Sequence, residues 1–224
     1  LLLGMTADTE VHFRVLVGVD GSELPTRDYS ITTLSLPSGM PQAIVSGEVT
    51  DQWAYQVVPF QGSVKFVTIL DTLGNVIWYY QPATDGVLMK SVLTHDRKAV
   101  LLGNAGAEGR VDLSQLEWIS LDGSTVTTVA APQFDHDLLA LPDGTVGMIS
   151  VETITRDDGT FWSADRIVEY APDGTFTEIF NAWDQLDPEG LGFELRSNWT
   201  HANGIEYSAT DDSYYLSMKE IVSL

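Results

Sequence analysis

The sequence predicts an all-β protein, most of which is a β-propeller, because strand-like runs and turns recur with a period of about fifty residues. One hairpin turn occurs three times, with its glycine at Gly74, Gly123 and Gly174. A different hairpin turn follows each of these, at residues 94–97, 141–144 and 208–212. Two hairpins in each period give four strands, and a four-stranded unit of this length is typical of a propeller blade.

Residues 1–36 do not follow this repeat. An alternating strand at residues 11–17 is followed by a hairpin signal at residues 20–22 and a closing strand at residues 29–33. This pattern resembles the last strands of a fibronectin type III or Ig-like sandwich, so we expect the earlier strands of that domain upstream. Residues 37–42, with two prolines and a glycine, predict a short linker.

Residues 43–224 are almost entirely strand and turn, and at roughly fifty residues each they supply about three to four blades. One connection, at residues 181–192, is longer than its counterpart in the preceding repeat. We interpret it as a surface loop, with a rim or lid over a pocket as the alternative. Six tryptophans are interpreted as packing residues of the blades, with ligand contact by one or two of them as the alternative: Trp53, Trp78, Trp118, Trp162, Trp183 and Trp199.

The composition limits the possible partners. With 32 acidic and 11 basic residues the formal charge is −21, which repels phosphate backbones and anionic membrane surfaces, so no nucleic-acid partner is expected. The acidic residues are scattered among turns, as on a surface suited to salt or to an extracellular setting. The apolar run at residues 1–5 is too short to span a bilayer. Cysteine is absent, which excludes disulfides and thiol chemistry.

Two histidines occupy matching places in the repeat. Val100 aligns with Val146 with a shift of 46, which places Lys90 opposite His136, and His201 leads its own strand as His136 does. Propellers direct the start of each innermost strand at a central channel. We therefore predict that Lys90, His136 and His201 share one pocket.

Other readings of the histidines stay open. A histidine at the start of an inner strand can simply hydrogen-bond a neighbouring blade. Asp135 and Asp137, on either side of His136, suggest a cation site, but we predict no metal because such sites need further close carboxylates or a second nearby histidine. His12 and His95 lie on a polar strand face and in a charged turn, and both are predicted to be surface residues.

The segments around the histidines resemble the arylsulfotransferase family. Residues 198–207 and 211–219 are similar to that family's His-x-Asn core, acidic turn and strand ending in Ser-Arg. Residues 135–137 are similar to its earlier His-Asp element, and residues 74–78 to its recurrent Gly-x-Val-x-Trp strand. A sandwich domain before a propeller is also the layout of the family.

The resemblance implies a secreted or periplasmic, six-bladed propeller enzyme that moves a sulfuryl group from an aryl sulfate to a phenol. It further implies a covalent sulfohistidine, no nucleotide donor and no cofactor. His136 and His201 match the family's sulfate-binding and acid–base positions, and Asn203 matches its amide donor. Lys219 stands where the family has arginine, and Lys90 is a second candidate cation for substrate binding. Lysine is a point charge, whereas arginine is a planar bidentate fork.

The resemblance also places the nucleophilic histidine in a later blade. We therefore expect it beyond Leu224, in a longer protein of which residues 1–224 are an inactive part. Two other function classes remain. One is a non-catalytic propeller that binds a ligand or a partner. The other is a propeller hydrolase or quinoprotein-like oxidoreductase, which is less favoured because its metal or cofactor constellation is not evident.

Overall fold

A computed structural model describes residues 4–47, 54–107, 110–188 and 198–221. In these ranges the chain is built from β-strands, with a single-turn α-helix, α1, at Ala182–Gln185 and a 3-10 turn at Val111–Leu113. The predicted all-β class is therefore confirmed. No helix in the same ranges has the length and apolar character needed to cross a membrane. Trp53 and residues 189–192 of the predicted insertion lie outside the described residues.

The N-terminal strands form two short antiparallel pairs. Their bounds are β1 Glu10–Phe13, β2 Leu16–Val19, β3 Ser22–Pro25 and β4 Tyr29–Thr32. β1 pairs with β4, and β2 pairs with β3. The alternating strand predicted at residues 11–17 is interrupted between β1 and β2, where the N–H of Val15 donates to Oγ1 of Thr26 at 3.1 Å instead of to a strand neighbour.

Four further antiparallel sheets follow in the described residues, each built from strands that are consecutive in the chain. The first contains β5 Tyr55–Phe60, β6 Phe66–Asp71 and β7 Val76–Tyr80. The second contains β8 Gly86–Leu93, β9 Ala99–Ala107, β10 Gln115–Ser120 and β11 Val126–Ala130. The third contains β12 Phe134–Ala140, β13 Val146–Thr155, β14 Phe161–Tyr170 and β15 Phe176–Asn181. The fourth contains β16 Ala202–Ser208 and β17 Ser213–Met218.

The second and third sheets are complete four-stranded meanders, and each has the two hairpin turns that the sequence predicts. Glycine is needed at the recurring turn because the backbone there is left-handed, with φ of 70° at Gly123 and 88° at Gly174. In the turn at Gly123, the carboxylate of Asp122 accepts hydrogen bonds from the hydroxyls of Ser120 and Ser124, both at 2.7 Å. Local side-chain chemistry therefore fixes these turns.

Asp122 makes the stability of its turn depend on pH. Hydrogen bonds from Ser124 and Ser120 lower its pKa from 3.8 to about 2. A folded-state pKa below the unfolded value stabilises the fold above pH 3.8, and this contribution is lost as the pH falls through about 2. We expect urea denaturation to show that Asp122→Asn is less stable than the parent at about pH 6, and that the difference shrinks between about pH 4 and pH 2. A difference that stays constant with pH would contradict this account.

Each of these sheets packs against the next one along the chain. Valine, leucine, isoleucine and phenylalanine side chains fill the spaces between them. Each of the three buried clusters contains residues of two consecutive sheets. Val67 and Val100 lie in the first cluster, Leu101 and Phe134 in the second, and Ile149 and Ile205 in the third. The five described tryptophans pack in the first two of these clusters or in a fourth cluster beside α1, as the sequence predicts.

Candidate functional site

The first strands of successive sheets lie side by side. β5 contacts β8, β8 contacts β12, and β12 contacts β16. This arrangement follows from the packing of each sheet on the next. Because of it, residues near the start of these strands come together although they are far apart in sequence.

His136 of β12 and His201, which directly precedes β16, face each other. The centroids of their rings are 5.7 Å apart. Both side chains are about one-third exposed, at 35% and 30%. The structure thus brings together, at a solvent-accessible place, the two histidines that the repeat puts in register.

Both histidines adopt backbone conformations that favour glycine. φ is 56° at His136 and 46° at His201. At His136 the pairing of β12 with β13 is irregular between Phe134 and Leu138. A left-handed conformation costs a residue other than glycine about 1–2 kcal/mol. Strain of this kind concentrates at functional sites, where the surrounding structure enforces it.

Lys90 of β8 lies beside Asp137, not opposite His136. Its Nζ is 3.0 Å from Oδ1 of Asp137. The strand pairings give the reason, since the β8–β9 turn is one residue longer than the β12–β13 turn. The gapless alignment with a shift of 46 is therefore wrong by one residue along β8 and β12.

Asp137 connects three strands of the site. Its Oδ1 is paired with Lys90 of β8, and its Oδ2 accepts the backbone N–H of Ile205 of β16 at 3.3 Å. Asp137 itself lies on β12. Asp137, one of the two carboxylates that the sequence suggests as cation ligands, is thus paired with a lysine. No group of three or more histidine, aspartate or glutamate side chains in the described part of the chain is placed to hold a metal ion.

The other candidate cations also have carboxylates beside them. Nδ1 of His136 lies 2.6 Å from Oδ1 of Asp135, in an orientation outside hydrogen-bond geometry. Oε1 of Glu220 lies 3.7 Å from Nδ1 of His201 and 3.6 Å from Nζ of Lys219. The site is therefore a mixed array of imidazoles, amines and carboxylates.

Hydrogen bonds to the backbone of His201 hold it on both sides. Its N–H donates to Oδ1 of Asn198 at 3.1 Å. Its carbonyl accepts the N–H of Lys219 at 3.0 Å and the side-chain amide of Asn203 at 2.8 Å. Asn203, which the resemblance gives as an amide donor to substrate, thus uses its amide nitrogen within the loop. The side chain of Lys219 is 58% exposed and lies one strand away.

Asp165 of β14 is a buried carboxylate that the sequence analysis missed. Its side chain is inaccessible to solvent, and its Oδ2 accepts the hydroxyl of Thr200 at 2.5 Å and the N–H of Ala202 at 2.7 Å. Burial raises the pKa of the Asp165 carboxyl. The alternation of β14 could have indicated it, because Asp165 shares a strand face with the buried Ile167, where a carboxylate needs a partner.

A cleft of about 500 Å³ adjoins the site. Lys90 and Asp137 lie on one side of it, and residues 204–206 and 215–217 of β16 and β17 lie on the other. Its lining includes neither His136 nor His201.

The prediction that His12 and His95 are surface residues is confirmed, since both are exposed.

Comparison with known proteins places the chain in a family. Residues 46–223 match the family model of arylsulfotransferase (ASST). The chain belongs to the arylsulfotransferase family. The match spans β5 to β17 and includes both histidines, Asn203 and Lys219. Arylsulfotransferase membership indicates an arylsulfotransferase-like function on small aryl molecules. No curated protein and no solved structure matches the chain.

Proposed function

We propose that this member of the arylsulfotransferase family transfers a sulfuryl group from an aryl sulfate to a phenol through a sulfohistidine. The observation that carries the proposal is the pairing of His136 with His201, whose rings are 5.7 Å apart within the segment that matches the family. Two imidazoles at this spacing can act on one small group from two sides. The resemblance assigns the nucleophilic histidine to a later repeat, so neither member of this pair is given that role.

The proposed architecture is a six-bladed propeller that follows an Ig-like or fibronectin type III-like domain. Two complete four-stranded meanders support it, as does the lateral contact between the first strands of successive sheets. In this proposal, residues 1–36 are the end of the sandwich domain, residues 37–42 the linker and residues 43–224 the propeller blades. We propose an extracellular or periplasmic location, which the acidic composition and the family support.

The chemistry proceeds in two balanced halves. In the first, a histidine nitrogen attacks sulfur, so that the N–S bond forms while the bond from sulfur to the aryl oxygen breaks. The aryl oxygen keeps that electron pair and takes a proton from His201 acting as a general acid. In the second, the acceptor phenol attacks sulfur, the N–S bond breaks, and the phenolic proton passes to His201. No cofactor enters either half.

The remaining residues serve to bind the anionic donor. His136 is assigned to the sulfate oxygens, and Lys90, Lys219 and Asn203 are the proposed substrate-binding residues. A net charge of −21 opposes the approach of an aryl sulfate, so a local group of cations is needed to offset it. The side chains of Lys90 and Lys219 are 42% and 58% exposed, which leaves their ammonium groups able to turn from their carboxylate neighbours to a bound anion.

The experiment that tests this function supplies the full-length protein with p-nitrophenyl sulfate and phenol, without any nucleotide. We expect nitrophenol and sulfated phenol to form in equal amounts. Initial rates should follow double-displacement kinetics, because a covalent intermediate separates the two halves. Release of inorganic sulfate in place of sulfated phenol would point to a hydrolase and contradict the proposal.

A second candidate is a propeller that binds an aryl ligand without catalysis. The pairing of Lys90 with Asp137 and of Lys219 with Glu220 favours it, because each carboxylate reduces the positive charge offered to a sulfate ester. The lysine at position 219 favours it too, since a bidentate guanidinium is lacking there. Calorimetric binding of an aryl sulfate by a protein that shows no turnover would support this candidate over the enzyme.

A further inference from the structure

The backbone on both sides of His201 is attached to one buried side chain. Oδ2 of Asp165 accepts a hydrogen bond from the hydroxyl of Thr200 and another from the N–H of Ala202. In return, the N–H of Asp165 donates to Oγ1 of Thr200 at 2.8 Å. The three hydrogen bonds form a clamp between β14 and the start of β16, with His201 at its centre.

We propose that Asp165 is a positioning residue that holds His201 in its working place, an inference that rests on the sulfuryl-transfer function proposed above. Asp165 does not contact the reacting atoms in this proposal. It acts through Thr200 and Ala202, which fix the backbone from which the imidazole projects.

The strained backbone of His201 explains why such a clamp is needed. A left-handed residue other than glycine relaxes to another conformation unless its neighbours prevent it. With φ of 46° at His201, both flanking peptide groups must be restrained. β14 is a suitable anchor, because ten consecutive residue pairs join it to β13.

The cost of placing a carboxylate at this position also indicates a purpose beyond packing. Oδ1 of Asp165 is buried and has no hydrogen-bond partner among the described residues. A buried acceptor without a partner is unfavourable, and an apolar side chain would avoid that cost. An acceptor oxygen is useful here because it can accept two hydrogen bonds from the segment that carries His201.

The test compares two pairs of variants in the full-length protein. Asp165→Ala and Thr200→Val remove the clamp. Asp165→Asn keeps a side-chain oxygen that can accept both hydrogen bonds, and Thr200→Ser keeps the hydroxyl that donates one of them. Glu117→Ala is the matched control for loss of a buried carboxylate. Glu117 lies on β10 and accepts hydrogen bonds from Asn104 and Tyr80, away from the histidines. Circular dichroism defines a temperature at which all variants are folded.

We expect Asp165→Ala and Thr200→Val to lower kcat by about a hundredfold, because a shift of about 1 Å in a catalytic group has an effect of that size. KM for the aryl sulfate should change much less, since His136 and the lysines remain. The conservative variants should recover most of kcat, and Glu117→Ala should keep it. Equal kcat values for Asp165→Ala, Thr200→Val and Glu117→Ala would overturn the proposal.

A second readout separates this inference from the proposed function. The imidazole proton resonances of His201, measured by NMR, should move in Asp165→Ala and Thr200→Val and stay in place in Glu117→Ala. An inactive parent protein would count against sulfuryl transfer, and the NMR comparison would still test the clamp. An active parent whose clamp variants keep both kcat and the His201 resonances would overturn the clamp alone.

Discussion

His201→Ala in the full-length protein is expected to lower kcat for transfer from p-nitrophenyl sulfate to phenol by about a hundredfold or more. Removal of one group aimed at charge that develops in a transition state typically has an effect of this size. His136→Ala should do the same, because it removes the other imidazole of the pair. The initial rate of nitrophenol release at saturating donor and acceptor measures both effects.

The exposed histidine His95 provides the matched control. His95→Ala makes the same chemical change in a charged turn, and it should leave turnover within about twofold, as expected for a surface substitution away from special features. A series of aryl sulfate donors with different leaving groups separates the acid–base role of His201 from the sulfate-binding role of His136. His201→Ala should lose more activity with poor leaving groups, because protonation of the departing oxygen matters most there. If turnover in both variants equals that of His95→Ala, the histidine pair is not the catalytic site.

Phe134→Ala is expected to lower the free energy of unfolding by about 3–5 kcal/mol, the range for truncation of a buried phenylalanine. The Phe134 side chain is fully buried and packs with Leu101 and Leu116 of the preceding sheet. It also fills the space left by the absent side chain of Gly103, where a Cβ atom would lie 2.5 Å from its ring. Its loss therefore leaves a cavity between two sheets. Urea denaturation at neutral pH measures the change.

Phe161→Ala is the control for this prediction. Phe161 is 66% exposed at the start of β14, so its truncation should change the unfolding free energy by no more than about 0.5 kcal/mol. Gly103→Ala should destabilise the same interface from the other side, because the new methyl group meets Phe134 and Leu138. Equal stability of Phe134→Ala and Phe161→Ala would mean that the packing between the second and third sheets does not stabilise the fold.

The repeat was predictable because its signals are local. Glycine at 123 and 174 is required by a left-handed backbone, and the neighbouring aspartates accept hydrogen bonds inside the same turns, so the turns can be read from short segments. Two hairpin turns in each period then predicted the four-stranded meanders. The four-stranded units followed from these signals, as did the proximity of His136 and His201.

The contacts that the carboxylates of the site make were not predictable in the same way. Asp165 meets Thr200 across 35 positions of sequence, and Asp137 meets Ile205 across 68. Neither contact leaves a local pattern. The predicted alignment of Lys90 with His136 was wrong for a related reason. The turn between β8 and β9 is one residue longer than the turn between β12 and β13, and this moves the whole of β8 by one position in the alignment. Counting along a sequence without gaps cannot detect such a shift.

The left-handed backbone at His136 and His201 has a consequence for efforts to engineer this protein. Glycine adopts such angles without steric penalty, so it is the residue that the local fold favours at both positions. A library selected only for heat resistance would therefore accumulate glycine at 136 and 201 and discard both imidazoles. Directed evolution of this scaffold needs selection for turnover in every round, since thermal stability and chemistry favour different residues at the same two sites.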